Sequence, residues 1–402
     1  MRSSRRFRSA LAQALPERPF EVELWDGAMI PSTTNGGPRF RVGSTRALGH
    51  VLRAPGQLGI GRAYVSGALD VDDVDAALDL LDDWQPPALD GTTRTRLAAA
   101  ALVASGPLSA LRAGPVAGAE LRPRGRRHSQ ERDQRSVRHH YDVANAFFAL
   151  FLDESMTYSC AIFSRGAQTL EEAQRTKLEL VCTKLRLEPG QRVLDVGCGW
   201  GSFAIHAARE HRVRVTGVTL SQPQAALARE RAHAAGVGDR VDIRVMDWRD
   251  LAQAPFDAIS SIGMVEHVGS ANIDAYAARL ATLLLPGGRL LNHGIARMRH
   301  GESEAGAFSE RFVFPGAAPL HLSRIAFAAE RAGLAIEHVE GFPEDYAQTL
   351  RHWATRLDDR LDEARRLAGE ERVRVWRLYL RASRRGFESG FTSVYQVLAR
   401  RP

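Results

Sequence analysis

Residues 193–208, VLDVGCGWGSFAIHAA, decide the fold of the second half of this 402-residue chain. A short apolar run leads into Gly197, Gly199 and Gly201, and a helical pattern follows at once. Glycine permits a tight turn and lets the backbone approach a ligand, because it has no Cβ. A strand, a glycine loop and a helix in this order predict a ligand site between the carboxyl end of the strand and the amino end of the helix.

The spacing within this loop distinguishes between cofactors. Asp195 stands two positions before the first glycine, which gives the D-x-G-x-G pattern usual in S-adenosylmethionine (SAM) methyltransferases. Dinucleotide enzymes use G-x-G-x-x-G, and nucleotide phosphate loops use G-x-x-x-x-G-K-[ST]; neither is present here. VMDWRD at 245–250 supplies the acidic segment expected after a later strand. The pattern favours SAM over NAD.

Strand and helix signals alternate through the second half of the chain. The predicted strands are RVLDVGC, RVRVTGVTL, VDIRVMDW, FDAISSIGM and GGRLLNHGIA, and the helices between them include SFAIHAAREH and QPQAALARERAHAAG. This alternation is typical of a doubly wound, mostly parallel sheet. The predicted fold class is therefore α/β, a Rossmann-like class I SAM methyltransferase domain, accompanied by a smaller α+β N-terminal domain.

The chain is predicted to contain two domains and a linker. Residues 1–115 form the N-terminal accessory domain, in which FEVELWDG, RFRVGS and GRAYV have strand character. Residues 116–130 form a basic linker rich in Gly, Pro and Arg, and residues 131–402 form the catalytic domain. Basic residues near the linker suit contact with anionic lipid, and the accessory domain is a candidate for membrane docking.

Composition limits the class of protein, the kind of partner and the cellular location that we expect. Hydrophobic residues make up 44% and charged residues 25% of the chain, as in ordinary globular proteins, and the net charge of +7 suits an anionic partner. The three cysteines form no Cys-x-x-Cys pair, so no metal site is predicted and a cytoplasmic location is expected. No secretory signal and no bilayer-long apolar stretch are evident.

HYDVANAFFALFLDESMTYSCAIF at 140–163 resembles the opening segment of cyclopropane-fatty-acyl-phospholipid synthases and mycolic acid cyclopropane synthases. The resemblance continues through GVTLSQPQ, SSIGMVEHVG, LLNHGIA, RFVFPGAAPLHL and DYAQTLRHW, and it covers about residues 131–402. It implies a SAM-dependent C-methyltransferase that adds a methylene to a cis double bond of an unsaturated phospholipid acyl chain. The alkene attacks the methyl group, and loss of a proton from the resulting carbocation closes a cyclopropane ring.

The resemblance also implies the site residues. Bound bicarbonate is the implied proton acceptor, with Glu154 as a competing base and Tyr141 as a ring facing the carbocation. The residues implied to hold bicarbonate are Cys160, Glu266, His293, Ile295 and Tyr346. The residues implied to bind SAM are Tyr158, Ser159, Asp195, Gly197, Gly199, Gly201, Thr219, Leu220, Ser221, Gln224, Asp247 and Trp248. The second strand ends without the usual acidic residue for the ribose, so Thr219, Ser221 and Gln224 are expected to replace it.

Several alternatives stay open or are disfavoured. The same methyl transfer gives a methylene-branched chain in some family members, and a flavin- or nicotinamide-dependent partner reductase then saturates it. A nucleic-acid methyltransferase is disfavoured because SSIGMVEHVG lacks the [DNS]-P-P-[FYW] set and residues 1–130 contain no recognised RNA-binding module. A lipid-binding relic is disfavoured by the intact glycine loop. We expect peripheral association with the inner face of the membrane, while a homodimer stays open.

Overall fold

The computed structural model describes residues 2–106, 116, 118–121, 145–252, 255–298, 306–314 and 319–402. The chain divides into two compact units. The first comprises residues 1–121, 306–313 and 369–382, and the second comprises residues 122–305, 314–368 and 383–402. Most of the predicted linker lies outside the described residues, so the predicted domain boundaries stay predictions.

The N-terminal part of the first unit combines five helices with a small sheet. Its elements are α1 (Arg2–Ala14), β1 (Glu21–Glu23), β2 (Met29–Ile30), β3 (Arg39–Val42), α2 (Arg46–Arg53), α3 (Gln57–Val65), β4 (Leu69–Val71), α4 (Val74–Asp83) and α5 (Gly91–Ser105). The strand order is β2-β1-β3-β4, with β1 and β3 parallel and the other pairs antiparallel. FEVELWDG and RFRVGS therefore contain strands, as predicted.

The piece GRAYVSGALDVDDVDAALDLLDDW, predicted to pass from strand into amphipathic helix, does so at β4 and α4, but its first residues, GRAYV, belong to α3. Gly61, Ala63 and Val65 are buried there, and a Cβ added to Gly61 would lie 2.4 Å from the ring of Phe308. The small residues that weakened the helical signal are thus what allow the helix to pack closely. The strand of this region begins later, at Leu69.

The second half of the chain supplies the remaining elements. They are α6 (Asn145–Ala149), α7 (Leu170–Leu185), β5 (Arg192–Val196), α8 (Ser202–Glu210), β6 (Arg214–Thr219), α9 (Gln222–Ala234), β7 (Val241–Val245), β8 (Phe256–Ile262), α10 (Val265–Val268), α11 (Ile273–Leu283), β9 (Leu284–Arg297), α12 (Ala307–Phe312), β10 (Leu320–His321), α13 (Leu322–Arg331), β11 (Ala335–Gly341), α14 (Pro343–Asp358), α15 (Leu361–Ala368), α16 (Glu370–Glu388) and β12 (Thr392–Arg400). A single 3₁₀ turn, Trp248–Asp250, follows β7.

The sheet of the second unit is mostly parallel. Its order is β11-β12-β9-β8-β5-β6-β7, and β10 pairs with β9. The pairs from β9 through β7 are parallel, whereas β12 is antiparallel to both β9 and β11. All five predicted strands, and the two quoted helices, are confirmed as β5 to β9 and as α8 and α9. Parallel pairing brings the carboxyl ends of β5, β6, β7 and β8 to one edge, which positions the site.

Apolar residues of the strands and flanking helices fill both faces of this sheet. One buried cluster includes Val193, Phe203 and Ala228, and the other includes Leu194, Ile259 and Leu280. Consecutive residues of β5 thus point to opposite faces, which explains its unbroken apolar run. Among the helices that the structure describes, none combines the length and the apolar character needed to cross a bilayer.

Candidate active site

A cavity lies at the carboxyl ends of β5, β6, β7 and β8. Ten of the twelve predicted SAM-binding residues line it, namely Tyr158, Ser159, Asp195, Gly197, Gly199, Thr219, Leu220, Gln224, Asp247 and Trp248. The other two cap the helices that follow the loops. Gly201 precedes the first residue of α8, and Ser221 accepts a hydrogen bond from the Gln224 amide at the start of α9 (3.3 Å).

The glycine loop takes conformations that other residues rarely adopt. The φ angles of Gly197, Gly199 and Gly201 are +79°, +54° and +81°. A Cβ on Gly197 would also lie 2.5 Å from Cγ of Met264. Both observations explain why glycine is needed here, and the loop backbone at Gly197 and Gly199 lines the cavity, where a ligand can reach it.

The polar side chains that follow β6, and those that follow β7, form hydrogen bonds within each segment. The Thr219 hydroxyl donates to Oε1 of Gln224 (2.9 Å) and accepts from the Ser221 amide (3.2 Å). After β7, both carboxylate oxygens of Asp247 accept from the Arg249 side chain at 2.7 Å. Arg249, which sequence reasoning missed, therefore holds the acidic segment in place.

Lys177 is the most informative residue that sequence reasoning missed. It is fully buried, it lines the cavity, and its Nζ donates to Oγ of Ser159 (3.0 Å). Burial lowers the pKa of Lys177 to about 8 and raises that of Asp195 to about 7, and the lysine charge opposes the second shift. A lysine within the apolar spacing of α7, between Leu170 and Val181, was the signal that could have found it.

Segment 157–160 is held by α7 and by aromatic packing. Gln174 donates from Nε2 to the carbonyls of Thr157 (3.2 Å) and Ser159 (2.9 Å). The Tyr158 ring packs against Trp353, with ring centres 5.2 Å apart. The tyrosine is therefore fixed in place beside the cavity that it lines.

Glu266 and Ile295, two predicted catalytic residues, are in direct contact. The Ile295 amide donates to Oε1 of Glu266 (2.8 Å), whereas the buried Oε2 has no partner among the described residues. Burial raises the pKa of Glu266 to about 7. The Ile295 amide that was predicted to bind an anion is thus already engaged by Glu266.

His293 is buried on β9 and is neutral. Its Nδ1 lies 3.1 Å from the Gln396 amide nitrogen of β12, and its Nε2 has no partner among the described residues. Burial, together with the nearby charges of Lys177 and Lys184, lowers the pKa of His293 to about 3. With an amide N–H donating to Nδ1, the ring proton is carried by Nε2, which is then an unused donor.

The remaining predicted catalytic residues lie in separate surroundings. Cys160 is fully buried, its thiol donates to the Ala161 carbonyl (3.1 Å), and burial raises its pKa well above the ordinary value. Tyr346 packs on Phe387, with ring centres 4.5 Å apart. Glu154 is exposed, and Tyr141 lies outside the described residues. None of the catalytic candidates in the described part of the chain is in the cavity lining.

Further cavity residues come from the segment after β8. Met264, His267 and Asn272 line the cavity, and the His267 ring lies 5.5 Å from that of Phe314. The sequence interpretation left His267 as a structural residue. Its position within VEHV directly after a strand end was the available signal, because loops at that edge of a parallel sheet face the ligand.

The family model described as "Mycolic acid cyclopropane synthetase" matches residues 128–397. The chain belongs to this family. A probable fatty acid methyltransferase of Pseudomonas putida is 37% identical over 96% of this chain and 92% of its own length. A probable fatty acid methyltransferase of Mycobacterium tuberculosis is 40% identical over 88% of this chain and 84% of its own length.

Among solved structures, the mycolic acid cyclopropane synthase CmaA1 complexed with SAH and CTAB is similar. It is 32% identical, covers 66% of this chain and 98% of its own, and superposes with a TM-score of 0.63. The fold is that of the class I SAM methyltransferases. The protein is a SAM-dependent methyltransferase of the cyclopropane and fatty acid methyltransferase family.

The residues at the cavity fit SAM. The glycine loop lines the cavity with backbone at Gly197 and Gly199, and the buried Oδ2 of Asp195 has no hydrogen-bond partner among the described residues. The indole of Trp248 offers an apolar face beside these groups. This combination suits a ligand with both a flat ring and several polar groups.

We predict that Lys177→Met weakens binding of S-adenosylhomocysteine by about 10- to 100-fold, because a charge-assisted hydrogen bond of about 1.5–3 kcal/mol is lost and Asp195 loses its neighbouring positive charge. Isothermal titration calorimetry measures the affinity. Arg175→Met, on the exposed side of the same helix, is the matched control and should bind normally. Unchanged affinity in a folded Lys177→Met variant would contradict this role.

We predict that Glu266 makes stability depend on pH. The unfolded chain ionises this carboxyl near pH 4.5, whereas the folded protein retains its proton up to about pH 7. The native state binds more protons in that window, so the free energy of unfolding falls by about 3 kcal/mol as pH rises through it. Urea unfolding of wild type and Glu266→Gln measures this.

The stability of wild type relative to Glu266→Gln should fall by about 3 kcal/mol from pH 4.5 to 7, because glutamine mimics the protonated acid and does not titrate. Exposed Glu188→Gln should show no such trend. A difference that stays constant across this range would show that Glu266 ionises normally in the folded protein.

Proposed function

We propose that this methyltransferase adds a methylene to the cis double bond of an unsaturated phospholipid acyl chain and forms a cyclopropane ring. Two buried polar atoms carry the proposal, Nε2 of His293 and Oε2 of Glu266. Neither has a hydrogen-bond partner among the described residues. Such atoms suit a small bound anion in a region without water. An alkene needs no base to activate it, but its product cation must lose a proton to an acceptor.

SAM supplies the methyl group that becomes the added carbon. The chain's own contribution is to hold the reactants in a dry, oriented setting. Lys177 and Gln174, both on α7, hold segment 157–160 through hydrogen bonds. The packed aromatic rings of Phe147, Phe148 and Phe151 form an apolar cluster that excludes water. Neutral surroundings also provide no competing nucleophile for a positively charged acyl chain.

Bicarbonate is the proposed proton acceptor. His293 is neutral with its proton on Nε2, so that it would donate to the anion, and Glu266, with a pKa of about 7, would exchange a proton with it. The charge of the Lys177 ammonium helps to lower the pKa of His293 and opposes the burial that raises the pKa of Cys160, so its positive field reaches this region. Glu154 is exposed whereas His293 and Glu266 are buried, which favours bicarbonate over this carboxylate.

A second candidate product is the methylene-branched acyl chain. It is favoured by the two relatives that match most of this chain, both of which are called probable fatty acid methyltransferases. A flavin- or nicotinamide-dependent reductase would then complete the methyl branch. For either product, the net charge of +7 suits peripheral attachment to anionic phospholipid on the inner face of the membrane.

Purified protein, vesicles of oleoyl phospholipid and SAM with a deuterated methyl group form the test of the product. We expect the oleoyl chain to gain a CD2 group by mass spectrometry, since one deuteron of the transferred methyl is lost, and to show no alkene carbons by carbon NMR. New alkene carbon signals from an exocyclic methylene would support the second candidate. No mass gain, from protein that binds S-adenosylhomocysteine, would overturn both.

Bicarbonate depletion tests the proton acceptor. In buffer stripped of carbon dioxide, we predict a loss of activity of about 100-fold or more, the scale of general-base catalysis, with recovery when bicarbonate is added back. Glu154→Gln should behave like wild type at every bicarbonate concentration. A bicarbonate-independent rate that collapses in Glu154→Gln would instead identify Glu154 as the base.

A further inference from the structure

Three metal-ligand side chains meet outside the cofactor cavity, between α7 and α8, and a fourth, Glu179, contacts two of them. The thiol of Cys182 and one ring nitrogen each of His206 and His211 lie within 4.8 Å of one another. Oε2 of Glu179 lies 3.2 Å from Nε2 of His206 and 3.1 Å from Nε2 of His211. We call these four residues the Cys182 cluster.

Helix geometry explains the convergence. Glu179 and Cys182 are three residues apart on α7 and therefore share a face. His206 lies on α8, and His211 directly follows its last residue. The two histidines are separated by four residues, a spacing within the range seen for histidine pairs that bind zinc.

We propose that the Cys182 cluster binds one Zn²⁺ ion through the thiolate of Cys182, Nε2 of His206, Nε2 of His211 and Oε2 of Glu179. In a tetrahedral zinc shell with ligand bonds of about 2.0–2.3 Å, neighbouring donor atoms lie about 3–4 Å apart. The two distances from Glu179 to the imidazole nitrogens match this separation. One sulfur, two nitrogens and one oxygen are also donors that zinc accepts.

Charge and burial agree with a divalent cation. A thiolate and a carboxylate together neutralise Zn²⁺, so the occupied site would carry no net charge. Cys182 is fully buried, while the side chains of Glu179 and His211 are 49% and 20% exposed, which leaves an entry route for the ion.

The ion would join the two helices that support the cofactor cavity. α7 carries Lys177, and α8 begins directly after the glycine loop at Gly201. A structural zinc there would stabilise the folded state through its binding free energy and leave the methyl-transfer chemistry to the cavity residues.

Cobalt substitution tests the site without reference to activity. Protein stripped of metal by a chelator is titrated with Co²⁺, and we expect one equivalent to bind, with strong ligand-field bands in the visible and a thiolate-to-cobalt charge-transfer band in the near ultraviolet. Cys182→Ala should lose the charge-transfer band. His211→Gln, a half-buried position at a helix end, should weaken binding by at least tenfold while the chain stays folded.

His233→Gln is the matched control, since His233 is exposed on α9, and it should titrate like wild type. Zn²⁺ should raise the melting temperature of wild type and of His233→Gln but not of His211→Gln. A charge-transfer band that survives in Cys182→Ala would come from Cys160 or Cys198 and overturn the proposal. So would the absence of any band, or equal Zn²⁺ stabilisation of wild type and His211→Gln.

Discussion

The burial of the Lys177 ammonium group, with the hydrogen bond and charges that offset it, is the constraint on which the arrangement of the cavity depends. Removing such a charge from water costs several kcal/mol, so its neighbours must offset that cost. Ser159 accepts its hydrogen bond, and Asp153 and, more weakly, Asp195 at the end of β5 provide the opposing charge. The same ammonium influences Cys160 and His293 electrostatically. One side chain thereby links the cofactor loop, segment 157–160 and strand β9.

Around this charge the other ionisable groups are kept neutral by burial. The imidazole of His293 stays neutral because burial lowers its pKa. Glu266 retains a proton near neutral pH because burial raises the pKa of its carboxyl group. A catalyst that generates positive charge on a hydrocarbon needs such surroundings, since mobile water or an anionic side chain would capture the cation. The electrostatic pattern is therefore consistent with the chemistry of the family.

The parts predictable from sequence were those with local signals. The glycine loop and strands β5 to β9 are each predicted by a pattern a few residues long. The parallel arrangement of these strands follows from the alternation of strands and helices. Lys177 was also within reach, as a cation in an apolar helical face. The Cys182 cluster was not, because its members come from two helices whose packing no short motif encodes. The first unit likewise includes residues 306–313 and 369–382, which only long-range contacts can assign.

Strand β12 has a consequence for the order of assembly. It lies between β9 and β11, although both precede it in the chain, and its Gln396 holds the imidazole of His293. During synthesis, β9 and β11 emerge first and each retains an unpaired edge until residues 392–400 follow. A nascent chain can thus complete its cofactor loop early, but the histidine acquires its orientation only when the last strand enters the sheet.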